Sequence, residues 1–172
     1  MRYYLRFWVV LTLVLGLDQW TKSLVVESAV ELRRNPILVV DGFAGPEAFF
    51  EITYVTNPGA AWSMFSDYPQ VLTVLAIIAL LAIWVFRKHL ELDRYSLQIV
   101  FGMISGGIAG NLGDRLFREP AEVVDFIDLY LPLIRYDYPI FNIADSAIFT
   151  GAIIYMIIGI LDSKIKKSQP VA

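Results

Sequence analysis

Tyr68–Phe86 reads YPQVLTVLAIIALLAIWVF, and Tyr95–Gly113 reads YSLQIVFGMISGGIAGNLG; neither contains Asp, Glu, Lys, Arg or His. Each is 19 residues, or roughly 28 Å as a helix, close to the ~30 Å hydrocarbon thickness of a bilayer. A core helix of a soluble domain rarely runs so long without a charge. Working outward, Tyr138–Leu161 is apolar apart from Asp145, and Leu5–Val26 is apolar until Asp18 and Lys22 near its far end. The spans are therefore predicted at about 5–26, 68–86, 95–113 and 141–161. The reading is a membrane α-helical fold of four transmembrane helices in one integral membrane domain, residues 1–172.

The whole composition agrees. The chain is 57% hydrophobic and 18% charged, where a soluble domain carries about 25% charge, and its mean hydropathy is +0.59. Arg2 and Arg6 ahead of the first apolar block suggest a signal peptide. No small-x-small site follows, however, and Asp18-Gln19-Trp20-Thr21-Lys22 continues the helix in polar form, so the block is read as a retained span.

Four spans put both termini on one side with the loop between spans two and three. That side holds eight basic residues, among them Arg2, Arg6, Arg87, Lys88, Arg94 and Lys164, against six on the other. Basic residues favour the cytoplasm, so both termini are expected there and the acidic loops outside.

Residues 27–67 form the largest part beyond the hydrocarbon. Ile37–Val40 and Phe49–Val55 read as short strands joined by turn chemistry at Asp41-Gly42-Phe43-Ala44-Gly45-Pro46. A small β-sheet over the outer ends of the helices is expected. Gly102, Gly106 and Gly110 recur every four residues in the third span, a spacing that lets helix backbones approach closely. Room for a substrate chain beside that helix is the other reading.

There are no cysteines and a single histidine, His89, in a basic loop. Thiol chemistry, a Ser-His triad and a His-rich zinc site are thereby excluded, and nothing implies a metal, cofactor or nucleic acid. Acid–base chemistry on the outer side falls to carboxylates. Asp18 precedes Lys22 by four residues, and Asp114 precedes Arg118 by four, so both acids have a same-face helical partner. Asp125, Asp128 and Asp145 have no Lys or Arg in their local sequence. Sixteen uncharged residues follow Asp145, about 24 Å of helix, which sets it at the outer hydrocarbon boundary. Two unneutralised carboxylates in low dielectric share one proton and supply a base and an acid together, the equipment of peptide hydrolysis without a covalent intermediate. Residue chemistry does not choose between Asp125 and Asp128. A proton-coupled transporter is the alternative from another class, but it calls for acids deeper in the membrane; a non-catalytic assembly factor leaves the lone acids unexplained.

Five blocks in order carry a resemblance: Asp18-Gln19-Trp20-Thr21-Lys22, Asn57-Pro58-Gly59-Ala60-Ala61-Trp62, Gly106 to Arg115, Val123-Val124-Asp125-Phe126, and Phe141-Asn142-Ile143-Ala144-Asp145-Ser146. With four spans, the chain resembles the lipoprotein signal peptidases (type II signal peptidases) of bacteria. The resemblance implies an aspartic endopeptidase of the inner membrane. Such an enzyme removes the signal peptide from diacylglyceryl-modified prolipoproteins on the amino side of the lipobox cysteine, near the periplasmic face. It implies Asp125 and Asp145 as the catalytic pair. It further implies Asn57, Gly107, Asn111, Arg115, Asn142, Ala144, Asp18 and Lys22 as residues that shape the site or hold substrate. Lipidated prolipoprotein, membrane lipid and globomycin-type inhibitors are the implied partners of a monomeric enzyme. Gly113 stands where the family usually carries a larger aliphatic residue, and Leu129–Tyr138 matches no motif of the family.

Overall fold

The computed structural model describes residues 4–42, 48–60 and 64–168, the last four by backbone alone. Phe43 to Pro46 of the turn and Ala61-Trp62 of the second motif block lie outside the described residues. So do Arg2 and the side chains of Lys166 and Lys167.

Four long helices and a four-stranded antiparallel sheet make the fold. In chain order they are α1 (Leu5–Glu27), α2 (Ala29–Arg34), β1 (Ile37–Val40), β2 (Phe50–Asn57), α3 (Pro69–Val85), α4 (Tyr95–Phe117), β3 (Val123–Leu131), β4 (Tyr136–Phe141) and α5 (Ile143–Ser168). Helices α1 and Ile143–Lys164 of α5 are long and apolar enough to cross a membrane. Helix α3 is shorter, starts on a proline at its first turn, and buries none of its 17 residues. It rests on α4 along one side, and an apolar helix that leaves its other side so open, with Val74, Ile78, Leu81 and Val85 exposed, is suited to an apolar solvent.

Helix α4 is the hub, packed against α1 on one side and α5 on the other, with α3 beside it. Its glycines explain how. A Cβ at Gly102 would sit 2.9 Å from the Phe7 carbonyl oxygen and Val10 Cβ, and one at Gly106 would sit 2.8 Å from the Leu11 oxygen and Val14 Cβ. These two face α1. At Gly107 a Cβ would overlap the Ala144 carbonyl oxygen, and at Gly110 it would lie 2.5 Å from Asp18 Oδ2. The small-residue spacing thus serves close helix packing, and these four glycines leave no channel there for a substrate chain.

Sequence patterning anticipated two of the four strands. Strand β1 pairs with β2, β2 with β3, and β3 with β4, all antiparallel. Strands β3 and β4 lie in a segment for which no strand was expected, and they absorb most of Leu129–Tyr138, the run without a family motif. Their alternation is disguised by Asp125 and Asp128, whose burial is decided by partners from elsewhere. The last helix accordingly starts at Ile143 rather than 141, because Phe141 belongs to β4 and pairs with Ile127. Helix α4 continues beyond Gly113 to Phe117 and takes in Asp114 and Arg115.

Two apolar clusters hold the ends. Phe7, Leu92, Leu97 and Phe101 join α1 to α4 through the α3–α4 connection, where Leu92 is fully buried. Val25, Leu32, Val124 and Phe126 join the far end of α1, α2 and β3. The second cluster fixes the sheet against the helices and so fixes the face that β3 presents to α4 and α5.

Candidate active site

Asp145 sits in the first turn of α5, and its place follows from the cap. Asn142 Oδ1 accepts the backbone N–H of Asp145 at 2.9 Å, satisfying one of the orphan donors at a helix start. With its oxygen so engaged, the Asn142 amide nitrogen turns to the sheet and donates to Asp125 Oδ1 at 2.7 Å and the Val124 carbonyl at 3.2 Å. One capping asparagine therefore binds both candidate acids.

Asp125 reaches the same point from β3. It lies opposite Val55 of β2, and Asn57 at the end of that strand donates from Nδ2 to Asp125 Oδ2 at 3.2 Å. Asp125 is 3% exposed. Burial first, and the neighbouring Asp145 carboxyl second, push the Asp125 carboxyl up to about 7, against the opposing pull of Asn57, Lys22 and Asn142. Asn111 of α4 donates to Asp145 Oδ1 at 2.7 Å, and the Asn142 backbone N–H donates to Asp145 Oδ2 at 3.3 Å. Three asparagines from three elements thus hold two carboxyls, adding donors without adding charge.

Behind them lies a buried ionic cluster. Lys22 and Asp18 of α1 and Asp114 of α4 have no exposed side-chain surface; Lys22 Nζ stands 2.9 Å from Asp18 Oδ2 and 2.7 Å from Asp114 Oδ2. The two helical pairs expected from spacing, Asp18–Lys22 and Asp114–Arg118, both form. Tertiary structure adds the bridge between them. Asp18 Oδ1 accepts the backbone N–H of Ala144 at 2.9 Å, and Asp114 Oδ2 accepts that of Val124 at 3.2 Å. Each acid thereby pins the backbone beside one member of the pair. Lys22 also donates to Asn111 Oδ1 at 2.9 Å. The candidate acids lack cations in local sequence, yet Lys22 acts electrostatically on both and Arg115 interacts with both.

Arg115 donates to the Gly59 carbonyl at 2.8 Å and the Asn111 carbonyl at 3.4 Å, tying the end of β2 to α4. Ala144 is fully buried, and its small side chain fits against Gly110, where a Cβ would lie 3.3 Å away. Every site residue named from the sequence falls in this one region. Gln19 was missed. Its Nε2 donates to the Gly110 carbonyl and Asp114 Oδ1, both at 3.0 Å, and its only signal was a place in the first motif block. Asp128 lies outside the constellation, beside Glu51 and Asp137. Among the described residues, no group of three or more His, Asp or Glu could hold a metal ion.

The site opens into a cavity of about 930 Å³, walled by α3, α4, α5 and the sheet, with Asn57, Asn111, Arg115, Asp125 and Asp145 among its polar lining. The walls are mainly aliphatic, including Leu72 and Leu75 of α3 and Ile148 of α5. A greasy cleft with convergent carboxyls and amides suits an apolar chain carrying a polar, hydrolysable bond.

The architecture has a solved counterpart. A structure described as a bacterial membrane enzyme superposes with a TM-score of 0.79 at 30% identity, over 95% of this chain and 93% of its own. A second so described gives 0.67 at 31%, over 89% and 90%. The fold is thus that of a membrane enzyme. A sequence model of the family described as Signal peptidase (SPase) II matches residues 10–161. The lipoprotein signal peptidase of Desulforapulum autotrophicum is 35% identical over 88% of this chain and 89% of its own length. That of Geobacillus kaustophilus is 34% identical over 88% and 90%. The chain belongs to the signal peptidase II family.

Proposed function

We propose that this chain is an intramembrane aspartic endopeptidase. In this reading it removes the signal peptide from diacylglyceryl-modified prolipoproteins on the amino side of the lipobox cysteine. The observation that carries the reading is Asn142, whose side-chain amide donates to the Asp125 carboxyl of the sheet and whose backbone N–H donates to the Asp145 carboxyl of the helix, at the polar end of an apolar cleft. The lipoprotein signal peptidase relatives supply the substrate class.

In the proposed reaction one proton is shared between Asp125 and Asp145. The ionised carboxylate takes a proton from water, which attacks the scissile carbonyl, while the protonated carboxyl donates to the carbonyl oxygen. The tetrahedral intermediate collapses as the leaving nitrogen is protonated. Asn57, Asn111, Asn142 and Arg115 orient the acids and offer donors to the substrate backbone; Asp18, Lys22, Gly107 and Ala144 hold the helices that carry them.

The proposed setting is a bacterial inner membrane crossed four times, with both termini cytoplasmic and the sheet at the periplasmic face. The uncovered apolar surface of α3 supports the four-span count, and the bias of Lys and Arg toward the terminal side supports the orientation. A monomeric working unit is part of the same reading.

The test is conversion of a diacylglyceryl-modified precursor peptide by the purified chain in detergent, with the cut mapped by mass spectrometry. Cleavage immediately before the modified cysteine is expected, with little turnover of the unlipidated peptide. A folded protein that cuts neither peptide, or cuts elsewhere, would refute the assignment.

A further inference from the structure

Lys22 is an ammonium group with no exposed surface, a costly placement that persists only with full compensation. It has three donors and meets three acceptors, Asp18 Oδ2 at 2.9 Å, Asp114 Oδ2 at 2.7 Å and Asn111 Oδ1 at 2.9 Å. The first two suffice to tie α1 to α4. The third does something else. Asn111 Oδ1 also faces Asn142 Nδ2 at 3.1 Å, whose two N–H groups it shares with Asp125 and the Val124 carbonyl, so donors stand on both sides of this amide oxygen. The Asn111 nitrogen is left to point away from Lys22, and it donates to Asp145 Oδ1 at 2.7 Å. Flipping the amide would set its N–H groups against an ammonium and another N–H, with Asp145 facing an oxygen. The same positive charge favours ionisation of Asp125 across the site, opposing burial and Asp145. A tie between helix ends needs neither the amide contact nor that reach.

We infer that Lys22 is a positioning residue for the reaction: its ammonium locks the Asn111 amide toward Asp145, and its charge sets the pH range over which the aspartate pair works. This rests on the two-aspartate reading above and assigns regulation of that same site. Lys22 touches no reacting atom and acts through Asn111 and through its field. The charged groups around it are Asp18 of its own helix, Asp114 and Arg115 of α4 (with Arg118 behind Asp114), Asp125 of β3 and Asp145 of α5.

The test exchanges charge without changing the net charge of the cluster. Lys22→Gln combined with Asp18→Asn removes the ammonium and one carboxylate, leaving Asp114 paired with Arg118 and an amide able to donate to Asn111. Activity of the full chain on a diacylglyceryl-modified precursor peptide is measured against pH, with the thermal midpoint in detergent as the fold control. The acid limb of kcat/KM is expected to move up by about one pH unit, leaving roughly a tenth of wild-type activity at a fixed pH on that limb, with recovery at alkaline pH. Lys22→Arg should lower the rate but leave the limb in place, because the charge stays. A folded double variant whose profile overlays that of the wild type overturns the inference. If that pair does not fold, Lys22→Gln with Asp114→Asn is the second neutral exchange. Failure of both to fold would make Lys22 a fold determinant only, which also overturns it. Retained turnover by Asp125→Asn, by contrast, would sink the two-aspartate reading itself.

Discussion

Asp125 and Asp128 stand three residues apart on one strand, and no Lys or Arg lies near either in sequence. Their surroundings differ completely. Asp125 is buried, receives the amides of Asn57 and Asn142, and faces Asp145. Asp128 is half-buried, lies opposite Glu51 in the β2–β3 ladder, and feels Asp137 from β4. Burial, followed by those two acids, raises its carboxyl as well. A raised carboxyl pKa is therefore not the mark of the site. The marks are the donors that orient Asp125 and the second acid that shares its environment, and both are supplied from outside β3.

The sharpest way to break this comparison is to remove the carboxylates. Asp125→Asn and Asp145→Asn should each lower turnover of a lipidated precursor by about 10³-fold or more, and the double variant should be little worse, because the two groups act as one unit. Substantial turnover by either folded single variant would end the two-aspartate mechanism.

Next in size is the asparagine that joins them. Asn142→Ala deletes the cap of α5 and a donor to Asp125, leaving buried acceptors unmatched. A loss of about 2 kcal/mol at the transition state, or roughly 30-fold in kcat/KM, is expected, together with a lower thermal midpoint. An unchanged rate would mean that the acids find their geometry without it.

Stability should separate the two acids in a third way. In the fold the Asp125 carboxyl titrates near 7, above its ordinary value in the unfolded chain. The folded state thus holds more protons than the unfolded state between about pH 4 and 7. Stability from this group is greatest below that window and falls as pH rises through it. Asp125→Asn should remove the loss, stabilising the protein at pH 8 by up to about 4 kcal/mol and very little at pH 4. Thermal midpoints measured at both pH values check this, and an equal shift at both would contradict it.

The smallest expected effect belongs to Asp128→Asn, which should keep activity within about threefold of wild type, since Asp128 touches neither asparagine nor Asp145. A loss matching that of Asp125→Asn would mean that the acids have been wrongly divided.

Much of the fold could be read from the chain. Uncharged runs as long as Tyr68–Phe86 fit nothing shorter or wetter than long apolar helices, and the four-residue spacing of Gly102, Gly106 and Gly110 announced close packing around α4. The pairs Asp18–Lys22 and Asp114–Arg118 were legible because helical geometry fixes which residues meet. Strands β3 and β4 were not. A strand carrying Asp125 and Asp128 looks polar until its neighbours are known, and β4 is short, exposed along half its length and interrupted by Pro139. The motif blocks contained the residues that the structure gathers around Asp125 and Asp145, Gln19 among them, but they carried no geometry and did not single Gln19 out.

The sequence by itself determined the solvent, the helices and the inventory of chemistry. Charge-free length and helical spacing are local properties, and an absent cysteine or a lone histidine stays so in any fold. Only the tertiary structure decided which acids lie together. It brought the cap of α5 against β3, seated Lys22 beneath Asn111, and left Asp128 outside. The reason is physical: the ionisation and orientation of a buried carboxyl depend on burial and on donors within hydrogen-bonding reach. For Asp125 those donors lie 17 and 68 residues away along the chain.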